Sequence, residues 1–171
     1  MKKTNKIILL STLLLVGWGQ VVPVANAASI IDNPGLSLDS EEVFITKSTE
    51  CLSLIEQAAE RLGIVGVATI SYVPGDTTKA WISRMQVMGK LANEKVNLVG
   101  IAYSKAAEAA VTLKDSGNQA RKGIVGEFGY QGAVIAHIDG GYLIASFSGA
   151  TGQQDYDVAK EGLDWLVEQF E

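Results

Sequence analysis

From residue 44 to residue 62 apolar side chains return at helical spacing: Phe44, Cys51, Leu52, Ile55, Ala58, Ala59 and Leu62. That spacing lays one apolar stripe along an α-helix. Asp39 is placed to cap its start, with Glu42 as the reciprocal partner and Leu38 and Val43 as a staple. Gly63 follows where a left-handed residue closes a helix. The period then shortens. Val65–Val73 (VGVATISYV) and Lys79–Val87 (KAWISRMQV) are β-rich runs on either side of Pro74-Gly75-Asp76, which predicts a hairpin.

Leu98–Leu113 is rich in alanine and free of proline, a second helix. Its small residues (Gly100, Ala102, Ala106, Ala107, Ala109, Ala110) permit close packing against another backbone. Residues 115–131 read as a long glycine-bearing loop. Gly132–Ile138 and Tyr142–Ser148 flank Asp139-Gly140, a strong two-residue turn, and form a second hairpin. Thr151 is placed to cap a last helix, with Gln154 at the box position. Ala159, Leu163, Leu166 and Phe170 share one face of it. Helix, hairpin, helix, loop, hairpin, helix is the order of an α+β fold, with an antiparallel sheet and helices laid on it. No repeat or linker divides residues 39–171.

Ahead of these elements Lys2, Lys3 and Lys6 precede the short apolar core Ile7–Val16, and Ala25-Asn26-Ala27 supplies a small-x-small cleavage pattern. This predicts a secretory signal peptide over residues 1–27. The core is about half the roughly 20 residues that a membrane span requires. Residues 28–38, with Asn33-Pro34-Gly35, read as an extended leader. The whole chain of 171 residues carries 14 basic and 19 acidic residues, a net charge of −5. Loss of the first 27 residues, with three lysines and no acid, leaves 144 residues at −8. Such a balance argues against nucleic acid, whose phosphates attract cations. Export puts the lone Cys51 in an oxidising compartment, either buried or in an intersubunit bridge. Its position in an apolar stripe favours burial.

Catalytic patterns are weak. One histidine and one cysteine exclude a cysteine-only zinc site and a site with two histidine ligands from one chain. Ser146 and Ser148 lie on the strand after His137, with no acid placed to orient it. His137, beside a turn, reads first as an exposed strand-end histidine. Asp155 and Asp157 sit in the first turn of the last helix, where the macrodipole favours acids.

Ser148-Gly149-Ala150-Thr151-Gly152-Gln153-Gln154-Asp155, with Val158-Ala159 and Gly162-Leu163, resembles the C-terminal signature of the GlcG/HbpS family. Ser83-Arg84-Met85, Ile101–Ala109 and the hairpin around Asp139-Gly140 resemble further parts of it in the same order, over roughly residues 40–171. Glu108 stands where the family usually has threonine. Gln131 and Ala133 replace a glycine and a proline. The family includes extracellular haem-binding proteins, a glycolate-operon accessory protein and the C-terminal domain of some cobalamin adenosyltransferases. The resemblance implies a profilin-like fold with a five-stranded antiparallel sheet and helices on both faces. The residues themselves yield four strands, which points to a fifth near Gly123–Gly129.

The resemblance further implies a homo-oligomer and an exported, non-catalytic binding protein, periplasmic or extracellular, for haem or a related tetrapyrrole. Met85, Met88, Tyr103 and His137 are then the candidate iron contacts. Arg84 and Lys105 are the candidate propionate partners, and Glu108 occupies a position associated with haem iron in some relatives. A structural alternative for Lys105 is an ion pair with Asp155 between the central and last helices. Two other functions stay open: an enzyme or accessory acting on a small organic acid, with the 117–129 loop lining a pocket, and an oligomeric partner of a membrane sensor.

Overall fold

The two hydrophobic periods of the chain become two kinds of layer. The structure is a computed structural model that describes residues 38–91 and 95–171; the signal peptide and the leader up to residue 37 fall outside them, and Leu38, read as the leader's last residue, lies in a helix. Three helices and four strands occur among these residues: α1 (Leu38–Leu62), β1 (Gly66–Pro74), β2 (Ile82–Met88), α2 (Leu98–Thr112), β3 (Ala133–Ile138), β4 (Gly141–Ser148) and α3 (Gly152–Glu168). The strands form one antiparallel sheet in the order β2-β1-β4-β3.

Alternation along the strands divides the core. Ala68, Ile70 and Tyr72 of β1, with Leu143, Ala145 and Phe147 of β4, meet the apolar stripes of α1 and α3. The intervening residues turn to the other face, where Val67, Val73 and Ile144 meet the alanines of α2. Because β1 is central and covered on both sides, every one of its nine residues is buried. Two polar residues on its α2 face, Thr69 and Ser71, are small enough to fit there. Thr69 Oγ1 lies 2.7 Å from Ser146 Oγ, which is also within 2.9 Å of the Ala102 carbonyl, its acceptor. The alanine stripe of α2 is thus used for packing within the chain.

Local signals behave as their chemistry predicts. Gly63 adopts φ +66° after α1. Thr151 accepts from Gln154 N, and Gln154 Oε1 accepts from Thr151 N, completing the capping box of α3. Three expectations need correction. Asp39 is not the cap of the first helix: α1 already includes Leu38, and neither a proline nor a glycine at these positions interrupts it. The second strand begins at Ile82, where pairing with Tyr72 starts, three residues later than the β-rich run suggested. No strand occurs over 123–129. That segment bends through left-handed Gly126 and Gly129, is held by an Arg121–Glu127 ion pair, and leaves Ile124, Val125 and Phe128 exposed. Without one buried face it has nothing to drive it onto the sheet.

α1 and α3 cross closely at a glycine. A Cβ at Gly162 would stand 2.3 Å from Ile55 Cγ1, and Cys51 Sγ donates to the Gly162 carbonyl at 3.3 Å. Gly162→Ala is therefore expected to destabilise the fold by about 1–3 kcal/mol through overpacking; an unchanged urea midpoint would contradict the close crossing. Cys51 is wholly buried, and burial pushes its thiol up to about 12. At pH 8 it should stay unreactive toward Ellman's reagent in the folded protein and react fully once urea unfolds the chain.

Candidate functional site

A lysine in the inward stripe of a helix must find a partner or lose its charge. Lys105 lies in such a stripe, with Ala102, Ala106 and Ala109, and its side chain is 3% exposed. Its Nζ donates to the Phe147 carbonyl at 2.9 Å and to Asp155 Oδ2 at 2.6 Å. Asp155 comes from the first turn of α3 and is equally buried. Its Oδ1 accepts from Ala150 N at 3.0 Å, and the Gly149 amide adds a further hydrogen bond. The ion pair expected between the central and last helices is therefore present. It joins opposite layers of the fold at the end of β4.

Gly132 makes room for the pair. Its φ is +131°, and a Cβ there would lie 2.7 Å from both Lys105 Nζ and Asp155 Cβ. Burial pushes the Lys105 ammonium below its ordinary value and the Asp155 carboxyl above its own. Their mutual attraction and the two backbone amides oppose these shifts. Each shift makes a proton easier to pass from the lysine to the aspartate.

Above the pair opens a cleft of about 470 Å³. One wall is apolar, from Leu98 and Ile101 of α2 with Val96 just before it. The other is polar backbone: Gly149, Ala150 and the first turn of α3. Tyr130 and Gln131, from the loop before β3, border the opening. In the first turn of α3 the Gln154 amide is taken by Thr151 Oγ1 and that of Asp155 by the Thr151 carbonyl, which leaves the amides of Gly152 and Gln153 to suit an oxygen-bearing ligand.

Of the seven sequence-predicted residues, Lys105 alone lines this cleft. Arg84 faces α1, donating to Ser48 Oγ and Thr49 Oγ1, each at 2.7 Å. Met85, next along β2, points to the opposite face and is 37% exposed. Met88 is buried in the α1/α3 core. Tyr103 accepts from Ser83 Oγ at 3.3 Å and packs its ring near Trp81. Glu108 is buried and accepts from Gly117 N at 2.8 Å, anchoring the start of the long loop. His137 is exposed on β3, its ring edge against Tyr142. β2 and β3 are opposite edges of the sheet, so Met85 and His137 are kept apart.

Sequence reasoning missed Tyr130, Gln131 and Ile101 as cleft residues. Gly149, Ala150 and Gly152 lay within the quoted C-terminal signature but were not singled out. Among the described residues no group of three His, Cys, Asp or Glu side chains is placed to hold a metal ion. No helix among them is long and apolar enough to cross a membrane.

With the fold and cleft in view, comparison with known proteins has a narrow result. No family model matches the chain, and no curated protein matches it. A crystal structure of Klebsiella pneumoniae protein ORFY, from family DUF336, superposes with a TM-score of 0.53 at 17% identity, covering 71% of this chain and 88% of that one. The chain shares its fold with a DUF336 protein. That family is also called GlcG-like. At this identity the likeness speaks for architecture, an α+β fold with an antiparallel sheet.

The ion pair yields a stability test. Lys105→Met leaves the Asp155 carboxylate buried without its cation and should cost about 3–5 kcal/mol. Adding Asp155→Leu removes the orphaned charge, so the double variant should be more stable than Lys105→Met alone. Equal urea midpoints for the two variants would show that the pair is not coupled.

Proposed function

We propose that this is an exported, non-catalytic binding protein of the GlcG-like type, which holds a small oxygen-bearing organic molecule in the cleft above Lys105 and Asp155. The observation that carries this reading is the cleft itself. Its volume of about 470 Å³ falls within the roughly 300–1,000 Å³ of small-molecule sites. One apolar wall and one polar wall, where Lys105 and the start of α3 lie, suit a ligand with an apolar body and a polar head. The basic start, short apolar core and Ala25-Asn26-Ala27 support export. A homo-oligomer is part of the same proposal, supported by Met85 and Val87, which leave apolar surface exposed on edge strand β2.

Haem is the finer ligand that the sequence resemblance suggests. The residues do not fit it well as a set: Met85, Met88, Tyr103, Glu108 and His137 are spread over both faces and both edges of the sheet. Tyr130 is the one cleft side chain of a type that ligates haem iron. A titration with haemin is accordingly expected to give no saturable Soret change at micromolar protein. A saturable change that Tyr130→Phe abolishes would instead favour haem in this cleft.

Butyrate serves as a simple probe of the small-molecule reading. In an amide NMR titration, saturable shifts should concentrate at Gly149, Ala150, Gly152 and Gln131. Filling the apolar wall with Ile101→Trp should abolish them. Shifts scattered over the surface, or undiminished in the filled variant, would remove the cleft as the binding site.

A further inference from the structure

The amine of Lys105 has a capacity that the ion pair leaves unused. Nζ carries three protons, and two are donated, to the Phe147 carbonyl and to Asp155 Oδ2. The third has no acceptor among the described residues, and Lys105 lines the cleft. Gly132, with no Cβ, lets its backbone pack close against Nζ, so the amine reaches the cleft beside the first turn of α3 without a side chain in the way. Asp155 Oδ2, at 2.6 Å, is in direct reach of the ammonium proton. Ala150 N holds the other carboxylate oxygen, so the acid is fixed in that orientation.

We propose that Lys105 captures small aldehydes in this cleft as a protonated imine, a reversible covalent form of binding that rests on the cleft being the ligand site. A desolvated lysine beside a proton acceptor is the arrangement that makes an amine nucleophilic toward carbonyl carbon. The burial that weakens the hold of Lys105 on its proton, and strengthens that of Asp155, acts in the same direction.

The chemistry balances within the pair. Asp155 takes one proton from the ammonium, and the freed amine attacks the aldehyde carbon. The C–N bond forms as the carbonyl π pair moves to oxygen, which takes up the proton from Asp155. The carbinolamine then loses water, carrying off the former carbonyl oxygen and two protons from the former ammonium. The product is a C=N bond with one proton and the positive charge left on nitrogen. No oxidant or reductant is consumed. The charge stays beside the Asp155 carboxylate, which keeps its hydrogen bond, while the Phe147 carbonyl gives up its own. An aldehyde suits the site because its carbonyl carbon is the least hindered, and the walls of Leu98 and Ile101 accept its alkyl chain.

Butanal with cyanoborohydride, which reduces the imine to a stable amine, tests this on the whole folded protein. The expected result is one alkyl increment in the intact mass, mapped by digestion to Lys105, before exposed lysines such as Lys90 and Lys122 react. Lys105→Arg, which keeps a cation beside Asp155, should lose that increment. Modification confined to surface lysines would overturn the proposal, and the wild-type map decides this even if the variant fails to fold. Butanal should also be followed by amide NMR without the reductant. Shifts at Gly149 and Ala150 with no adduct at Lys105 would overturn imine capture and leave the cleft as a binding site. Neither shifts nor adduct would overturn both.

Discussion

The hydrogen-bonded pair of Lys105 and Asp155 couples parts of the chain that are otherwise on opposite sides of the sheet. Lys105 descends from α2 and Asp155 rises from the start of α3. Between them the Phe147 carbonyl, at the end of β4, takes a further lysine proton. Taking two charges out of water costs several kcal/mol for each ion, and attraction offsets this only when the remaining valences are also met. Here most of them are, by Ala150 N, Gly149 and Phe147 O, and one lysine proton is left over. The pair therefore restricts how the layers can be assembled more than it adds to their stability. The glycine at 132 and the turn that caps α3 both answer to its space and geometry.

The same constraint explains where the cleft is. A helix that must bring its lysine to the end of β4 cannot cover the strand end and the first turn of α3 as well. The uncovered region is bordered by backbone amides, by the apolar start of α2 and by the loop that precedes β3. It becomes a concave site without any side chain being unusual on its own. By contrast, the opposite side of the sheet is closed by two helices whose crossing is tight enough to require Gly162. The openings on that side, of about 180 and 320 Å³, are smaller than the cleft.

Much of the architecture was legible in short stretches of sequence. The Asp139-Gly140 turn, the Thr151–Gln154 box and the left-handed Gly63 act within a few residues, so their chemistry reads directly. The pairing of Lys105 with Asp155 was legible only as one alternative for that lysine, since its burial shows only in the fold. The site was less so. Tyr130 and Gln131 reach the cleft from an irregular loop that carries no period. His137, Met85 and Met88 resembled a ligand set only as a list of residue types. Met85 directly follows Arg84, yet the alternation of β2 sends them to different faces, and sheet order then decides their distance from His137. The supposed strand over 123–129 failed for a related reason: β-forming residues such as Ile124 and Val125 count only if a sheet edge and a covering layer are there to bury them.

The sequence by itself determined the elements, their caps and turns, and the α+β class, because periodicity, capping and turn chemistry operate over a few residues. Tertiary structure decided the order β2-β1-β4-β3, the assignment of α2 to one face and α1 with α3 to the other, and the convergence of α2, β4 and α3 on one cleft. Those outcomes depend on contacts between residues far apart in the chain, where burial, volume and charge must be satisfied together, and no local pattern encodes that joint solution.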